Sequence, residues 1–120
     1  MTYQKQIGKI GEQIAADYLA DNGYQVVDRN FTVPYGEIDL VAFEADIVVF
    51  VEVKTRSSKT FGLPEDSVTA AKLERMHNAA MLWLQAHPDV PDDWRIDVIA
   101  IQIDHQQNVL DLQHFINADL

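Results

Sequence analysis

Cysteine is absent from this chain, which excludes disulfides, thiolate metal sites and a cysteine nucleophile. Basic residues are scarce: nine Lys and Arg stand against nineteen Asp and Glu, leaving a net charge of −10. That balance argues against a general nucleic-acid binder, which carries a basic footprint. Apolar runs are short and none approaches the ~20 residues that a membrane span needs. The first thirteen residues are broken by Lys5, Lys9 and Glu12, so no apolar secretion signal is visible there and the cytoplasm is the expected compartment. Also missing are a Gly-rich phosphate loop, a Gly-x-Ser-x-Gly elbow, internal repeats and low-complexity tracts. His77, His87, His105 and His114 are scattered without metal-ligand spacing.

What remains is a chain of 120 residues, 48% hydrophobic and 23% charged. Those values suit one globular domain covering 1–120, able to bury roughly two thirds of its unfolded surface. Charge is distributed unevenly. Between residues 54 and 75, Lys54, Arg56, Lys59, Lys72 and Arg75 outnumber Glu65, Asp66 and Glu74, so a local basic surface begins there.

Apolar residues recur at three and four from Ile7 through Ile10, Gly11, Ile14 and Tyr18, predicting a helix over 4–22 that stops at Gly23. Glu12 lies on the flank of that stripe, where a helical Glu is ordinarily a surface residue. Residues 24–29 read as a first strand, with 30–35, which contain Pro34, a connector or an irregular strand end. The stretch 57–64 reads as a loop. Thr69 is placed to cap a second helix running to about His87, with Leu73, Met76, Ala80 and Leu84 on its buried side. Lys72 and Arg75 then lie three apart in its first turns, available for phosphate or for ordinary surface pairing. Residues 94–103 read as a strong strand in which Arg95 and Asp97 share a face; Asp97 is expected to pair with Arg95, the alternative being a supporting place behind the metal ligands. An edge strand over 109–116 follows a polar turn. Trp83 and Trp94 are expected in the core.

The informative stretch runs from Gly36 to Arg56. Its two halves are rich in Val, Ile and Phe, and the Glu-Ala-Asp break between them is short enough only for a hairpin. An even-numbered connection puts Ile38, Leu40 and Ala42 on one apolar face with Val49, Val51 and Val53. The other face carries Glu37, Asp39, Glu52 and Lys54. A turn of two residues at Ala45-Asp46, or of four from Glu44 to Ile47, sets Asp39 across from Glu52. A pair at Glu44-Ala45 makes them diagonal neighbours, and an odd connection separates them.

Opposed carboxylates have Cβ atoms about 5 Å apart and repel unless something compensates. A hard divalent cation does so, binding oxygen at ~2.0–2.1 Å and often using only one or two carboxylates. Lys54 points to the same side as Glu52 and can reach a metal-bound water or a phosphate oxygen. Metal, water and cation together form a constellation for phosphodiester hydrolysis. A solvated face at the strand ends explains the same charges without chemistry.

The segments Gly-Glu-Ile-Asp-Leu, Phe-Val-Glu-Val-Lys-Thr-Arg and Phe-Gly-x-Pro-Glu-x-x-Val-x-x-x-Lys, with this order of elements, closely resemble the YraN-like uncharacterised bacterial proteins. That family looks like a branch of the PD-(D/E)-x-K nuclease superfamily, near the archaeal Holliday junction resolvases. The resemblance covers roughly residues 8–117. It implies an α/β, restriction-endonuclease-like core with order α-β-β-β-α-β, an extra C-terminal strand, and a mixed sheet flanked by helices. It further implies Asp39, Glu52, Lys54 and Glu12 as catalytic residues. Glu12, Asp39, Glu52 and the carbonyl of Val53 would hold Mg²⁺ or Mn²⁺, with Glu37 as an accessory acid. Lys72 would fall where the resolvase-like proteins face their substrate, and a homodimer would be the assembly; with Arg56, Lys59 and Arg75 of the basic stretch it would contact DNA, branched or otherwise structured. Two departures stand out: Ile38 occupies the place of the superfamily proline, and Val33-Pro34-Tyr35 stands where relatives carry basic residues.

The leading expectation is therefore a metal-dependent endonuclease. The alternative is a non-catalytic module that binds nucleic acid or protein on a nuclease fold. A two-carboxylate glycosidase accounts for neither Lys54 nor the basic cluster.

Overall fold

A computed structural model describes residues 2–57 and 63–118. Helix α1 (Tyr3–Asp21) leads into strands β1 (Gln25–Val33), β2 (Gly36–Glu44) and β3 (Ile47–Arg56). A short 3₁₀ turn at Pro64–Ser67 precedes helix α2 (Ala70–Ala86), followed by β4 (Asp93–Ile103) and β5 (Val109–Phe115). The five strands lie in the sheet in sequence order, β1-β2-β3-β4-β5. All neighbours are antiparallel except β3 and β4, which are joined through α2 and run parallel. This is the α/β order with an extra final strand that the sequence led us to expect.

Local chemistry sets the helix ends. The hydroxyls of Thr2 and Thr69 accept the backbone N–H of Lys5 and Lys72, each satisfying an orphan donor of a first turn. Gly23 follows α1 at φ +87°, a left-handed conformation that glycine adopts without penalty. The α1 face bears Ile7, Ala15, Ala16 and Leu19, packed on Leu40, Ala42, Val49, Val51, Val53, Ile99 and Ile101. The α2 face bears Met76, Ala79, Ala80 and Trp83, packed on Val41, Val48, Phe50 and Ile96. The two helices thus cover opposite sides of the sheet, and β3 and most of β4 are buried on both faces. At Gly11 the helix comes so close to β3 that a Cβ would run into the Thr55 side chain.

The structure decides one open reading and corrects another. Residues 30–33 are the irregular strand end rather than connector: β1 continues to Val33, and the turn is Pro34-Tyr35 between the Val33–Gly36 pair. The strand accommodates this with a register shift between Val26 and Asp28 and a left-handed Asn30 at φ 53°. Ile38 also does not share a face with Leu40. It packs in the α2 core while Leu40 packs under α1, so the alternation of β2 breaks at Asp39. Trp83 is a core residue as expected, its indole donating to Asp28 at 2.8 Å, whereas Trp94 is half-buried and packs against the same core.

Asp97, wholly buried, pairs with Arg95 at 3.0 Å and lies 2.7 Å from Nε2 of His114. It also accepts the backbone N–H of Asn117 at 3.1 Å, fastening β5 and the following turn to β4. Burial would raise its carboxyl, but the bonds from His114, Arg95 and Asn117 outweigh that and hold it below the usual range. No helix among the described residues is long and apolar enough to cross a membrane.

Candidate metal and nucleic-acid site

The β2–β3 hairpin turns on Ala45-Asp46, with Glu44 paired to Ile47 and Ala45 left-handed at φ 49°. Its register therefore carries Asp39 across from Glu52, as the two-residue connection requires. The ladder itself stops one rung earlier, at Leu40–Val51. Beyond it β2 stays with β1 to the Val33–Gly36 pair, while β3 stays with β4 to Arg56–Gln102. The sheet splits there, and the candidate site lies in the split.

Asp39 takes the place of the missing backbone partner: its Oδ2 accepts the Val53 N–H at 2.8 Å. In an extended strand the N–H and C=O of one residue face the same neighbour, so the Val53 carbonyl is directed to the same side as Asp39. Burial and the adjacent Glu52 carboxylate push the Asp39 carboxyl up to about 7, with Glu37 adding to the effect and the Val53 bond opposing it. Two acids this close resist carrying full charge together in a partly dry site. Glu52 is 6% exposed, and its Oε1 lies 3.5 Å from Nζ of Lys54.

A second cation sits beside this pair. Burial and the neighbouring Lys54 lower the Lys72 ammonium, whereas Lys54 is raised: burial works against it, but the Lys72 contact and the Glu52 and Asp39 carboxylates prevail. Lys54 thus holds its proton among the acids, and Lys72 yields more readily.

Glu12 approaches from α1, on the other side of the sheet. Burial and the charge of Asp39 raise its carboxyl, Glu37 adds to this, and the Asn30 side chain and Arg29 oppose it. The broken alternation of β2 makes this possible, because Asp39 sits where the strand changes faces and is felt from both. As the side chains stand, no three acids or histidines among the described residues converge in metal-binding geometry. Asp39, Glu52 and the Val53 carbonyl nevertheless fit a hard cation. They are opposed oxygen donors whose repulsion is marked by the raised Asp39, and such ions commonly use two carboxylates and keep several waters.

The basic residues separate into two grooves. One, of about 700 Å³, lies between the β1–β2 tip and α2 and is lined by Glu37, Glu52, Lys72 and Arg75 among others. The other, of about 480 Å³, contains Lys54, Arg56 and Ser57 beside Tyr3 of α1. Lys59 lies outside the described residues. Sequence reasoning missed Tyr35, which stands 78% exposed at the rim of the first groove. The only signal for it was an aromatic residue after Pro34, which reads as a simple connector.

Comparison with known proteins bears on the family. The profile of the uncharacterised protein family UPF0102 matches residues 11–101. A UPF0102 protein of Moorella thermoacetica is 42% identical over 106 residues, covering 88% of each chain. One from Syntrophomonas wolfei is 41% identical over 114 residues, covering 95% of this chain and 97% of its own. Among solved structures, an XisH family protein from Nostoc punctiforme matches with a TM-score of 0.42 and 15% identity, over 86% of this chain and 98% of that one. With its profile match and relatives aligned over nearly their whole length, the chain belongs to the uncharacterised protein family UPF0102.

Proposed function

We propose that this protein is a Mg²⁺- or Mn²⁺-dependent endonuclease-type phosphodiesterase acting on DNA, including branched or otherwise structured DNA. The observation that carries the reading is the pair of opposed carboxylates, Asp39 and Glu52, in the split between β2 and β3, with the Lys54 ammonium 3.5 Å from Glu52. Asp39, Glu52 and the Val53 carbonyl would hold the ion, and Glu12 would complete the set by a side-chain movement from α1. A bound divalent ion supplies Lewis acidity at the phosphoryl oxygen and acidifies a bound water. Lys54 orients the attacking water and stabilises charge developing on the phosphate. Arg56, Lys59, Lys72 and Arg75 contact flanking phosphates, and Glu37 adds negative charge at the rim.

The test is cleavage of branched and single-stranded DNA in Mn²⁺ by wild type, Glu52→Ala and Lys54→Ala. Loss of cleavage in both variants is expected; cleavage that survives both changes rejects the assignment. Calorimetric titration with Mn²⁺ gives a readout independent of turnover. Saturable binding that Asp39→Ala removes supports the hydrolase, whereas none in wild type favours a non-catalytic binding module on the same fold.

A further inference from the structure

The larger groove has a chemistry that phosphate contact alone does not explain. One wall is the β1–β2 tip, with Val33, Pro34 and Tyr35; the facing wall is the start of α2, with Lys72 and Arg75; Glu52 also lines it. Its volume of about 700 Å³ lies within the range of sites that take small organic groups. The tip contributes Val33 and Pro34 beside Thr32 and Glu37, and Tyr35 stands there at 78% exposure, the greatest of the large apolar side chains among the described residues.

The backbone that carries Tyr35 is held in place. Gly36, the next residue, packs so tightly on α2 that a Cβ would collide with the Arg75 carbonyl oxygen, and the Val33–Gly36 pair closes the turn beneath the ring. Pro34 narrows the conformations open to that turn. Stacking on a ring mounted there orders only the two side-chain torsions of Tyr35 and no backbone.

Charge decides what does so. Duplex binding is driven by neutralising many phosphates, and this groove sets only Lys72 and Arg75 against three glutamates, in a chain with a net charge of −10. Lys72 and Arg75 suffice for one or two phosphates, while Glu37, Glu52 and Glu74 around the same groove repel others. Affinity for nucleic acid must then come largely from stacking, as in proteins that hold single strands. A paired base already has both faces covered by its neighbours, so only an unpaired base is free to meet the ring.

We propose that this groove seats one unpaired nucleobase stacked on Tyr35, with its phosphate at Lys72 and Arg75, so that the protein engages single-stranded DNA or the unpaired part of a structured DNA. The proposal deepens the phosphodiesterase reading and rests on it for the direction of the strand toward Glu52 and Lys54. Base capture by Tyr35 can be measured without turnover.

The experiment is fluorescence anisotropy in EDTA at low salt. The probes are a labelled oligothymidylate strand of about 12 nucleotides and a mixed-sequence duplex of equal length. Wild type and Tyr35→Phe are expected to prefer the strand, and Tyr35→Ala to lose roughly ten-fold on the strand alone. The proposal is overturned if wild type shows no preference for the strand, if Tyr35→Ala binds it like wild type, or if that variant weakens on strand and duplex alike. A Mn²⁺ cleavage arm separates the two ideas. A strand-specific binding defect in Tyr35→Ala without any wild-type cleavage leaves the base seat standing and removes the hydrolase. Cleavage lost in Glu52→Ala, with Tyr35→Ala equal to wild type in cleavage and binding, does the reverse.

Discussion

Replacing Asp39 by Asn isolates the electrostatic tension at the split in the sheet. The amide oxygen can still accept the Val53 N–H, and the amide N–H can donate to Glu52, so Asn imitates the protonated acid. In the native protein the carboxyl is pushed from 3.8 to about 7 by burial and Glu52. Between those values the folded chain holds a proton that the unfolded chain has released, so stability falls as pH rises through this window. At 1.36 kcal/mol per unit the full shift corresponds to an upper bound of ~4 kcal/mol. Sharing of the proton with Glu52 and relaxation of the side chains reduce the expected effect to roughly 1–3 kcal/mol. Urea unfolding in EDTA at about pH 5 and about pH 8 should therefore show wild type losing that much more stability than Asp39→Asn. Adding Mn²⁺ at about a hundred times its dissociation constant should return about 2.7 kcal/mol to wild type and much less to the variant. Identical pH slopes for the two proteins in EDTA would refute the reasoning, since Asp39 would then ionise as it does in the unfolded chain.

Two further outcomes test the frame around the site. Gly11→Ala places a methyl group against the Thr55 side chain, forcing α1 off β3 at a cost of about 1–3 kcal/mol; an unchanged urea midpoint would contradict that close approach. Asp97→Ala leaves Arg95 and His114 without their buried partner and should destabilise by about 3–5 kcal/mol near neutral pH. Because the Asp97 carboxyl lies below its ordinary value of 3.8, its contribution is present above that pH and is lost as pH falls through the lower folded value. The gap between wild type and variant should accordingly narrow as the pH is taken below 3.8, and a constant gap in urea midpoints would show that ionisation of Asp97 is irrelevant.

Much of the architecture follows from short stretches of sequence. Thr69 and the apolar spacing after it mark α2, and Gly23 marks the end of α1, because caps and periodicity act within a few residues. The approach of Asp39 to Glu52 is partly local: a short hairpin brings the two stretches together, but the sequence left its turn open, and the structure places it at Ala45-Asp46. The pairing of Arg95 with Asp97 needs only their shared strand face. Tertiary packing decided the rest. Ile38 turned to the α2 core and Leu40 to the α1 core because different helices cover the two ends of β2, a matter no window along that strand contains. The same break lets Glu12, distant in sequence, feel Asp39, and the parting of β2 from β3 opens the groove that Tyr35 overlooks. Local chemistry chose the donors, whereas the way two helices press on opposite faces of one sheet chose their surroundings.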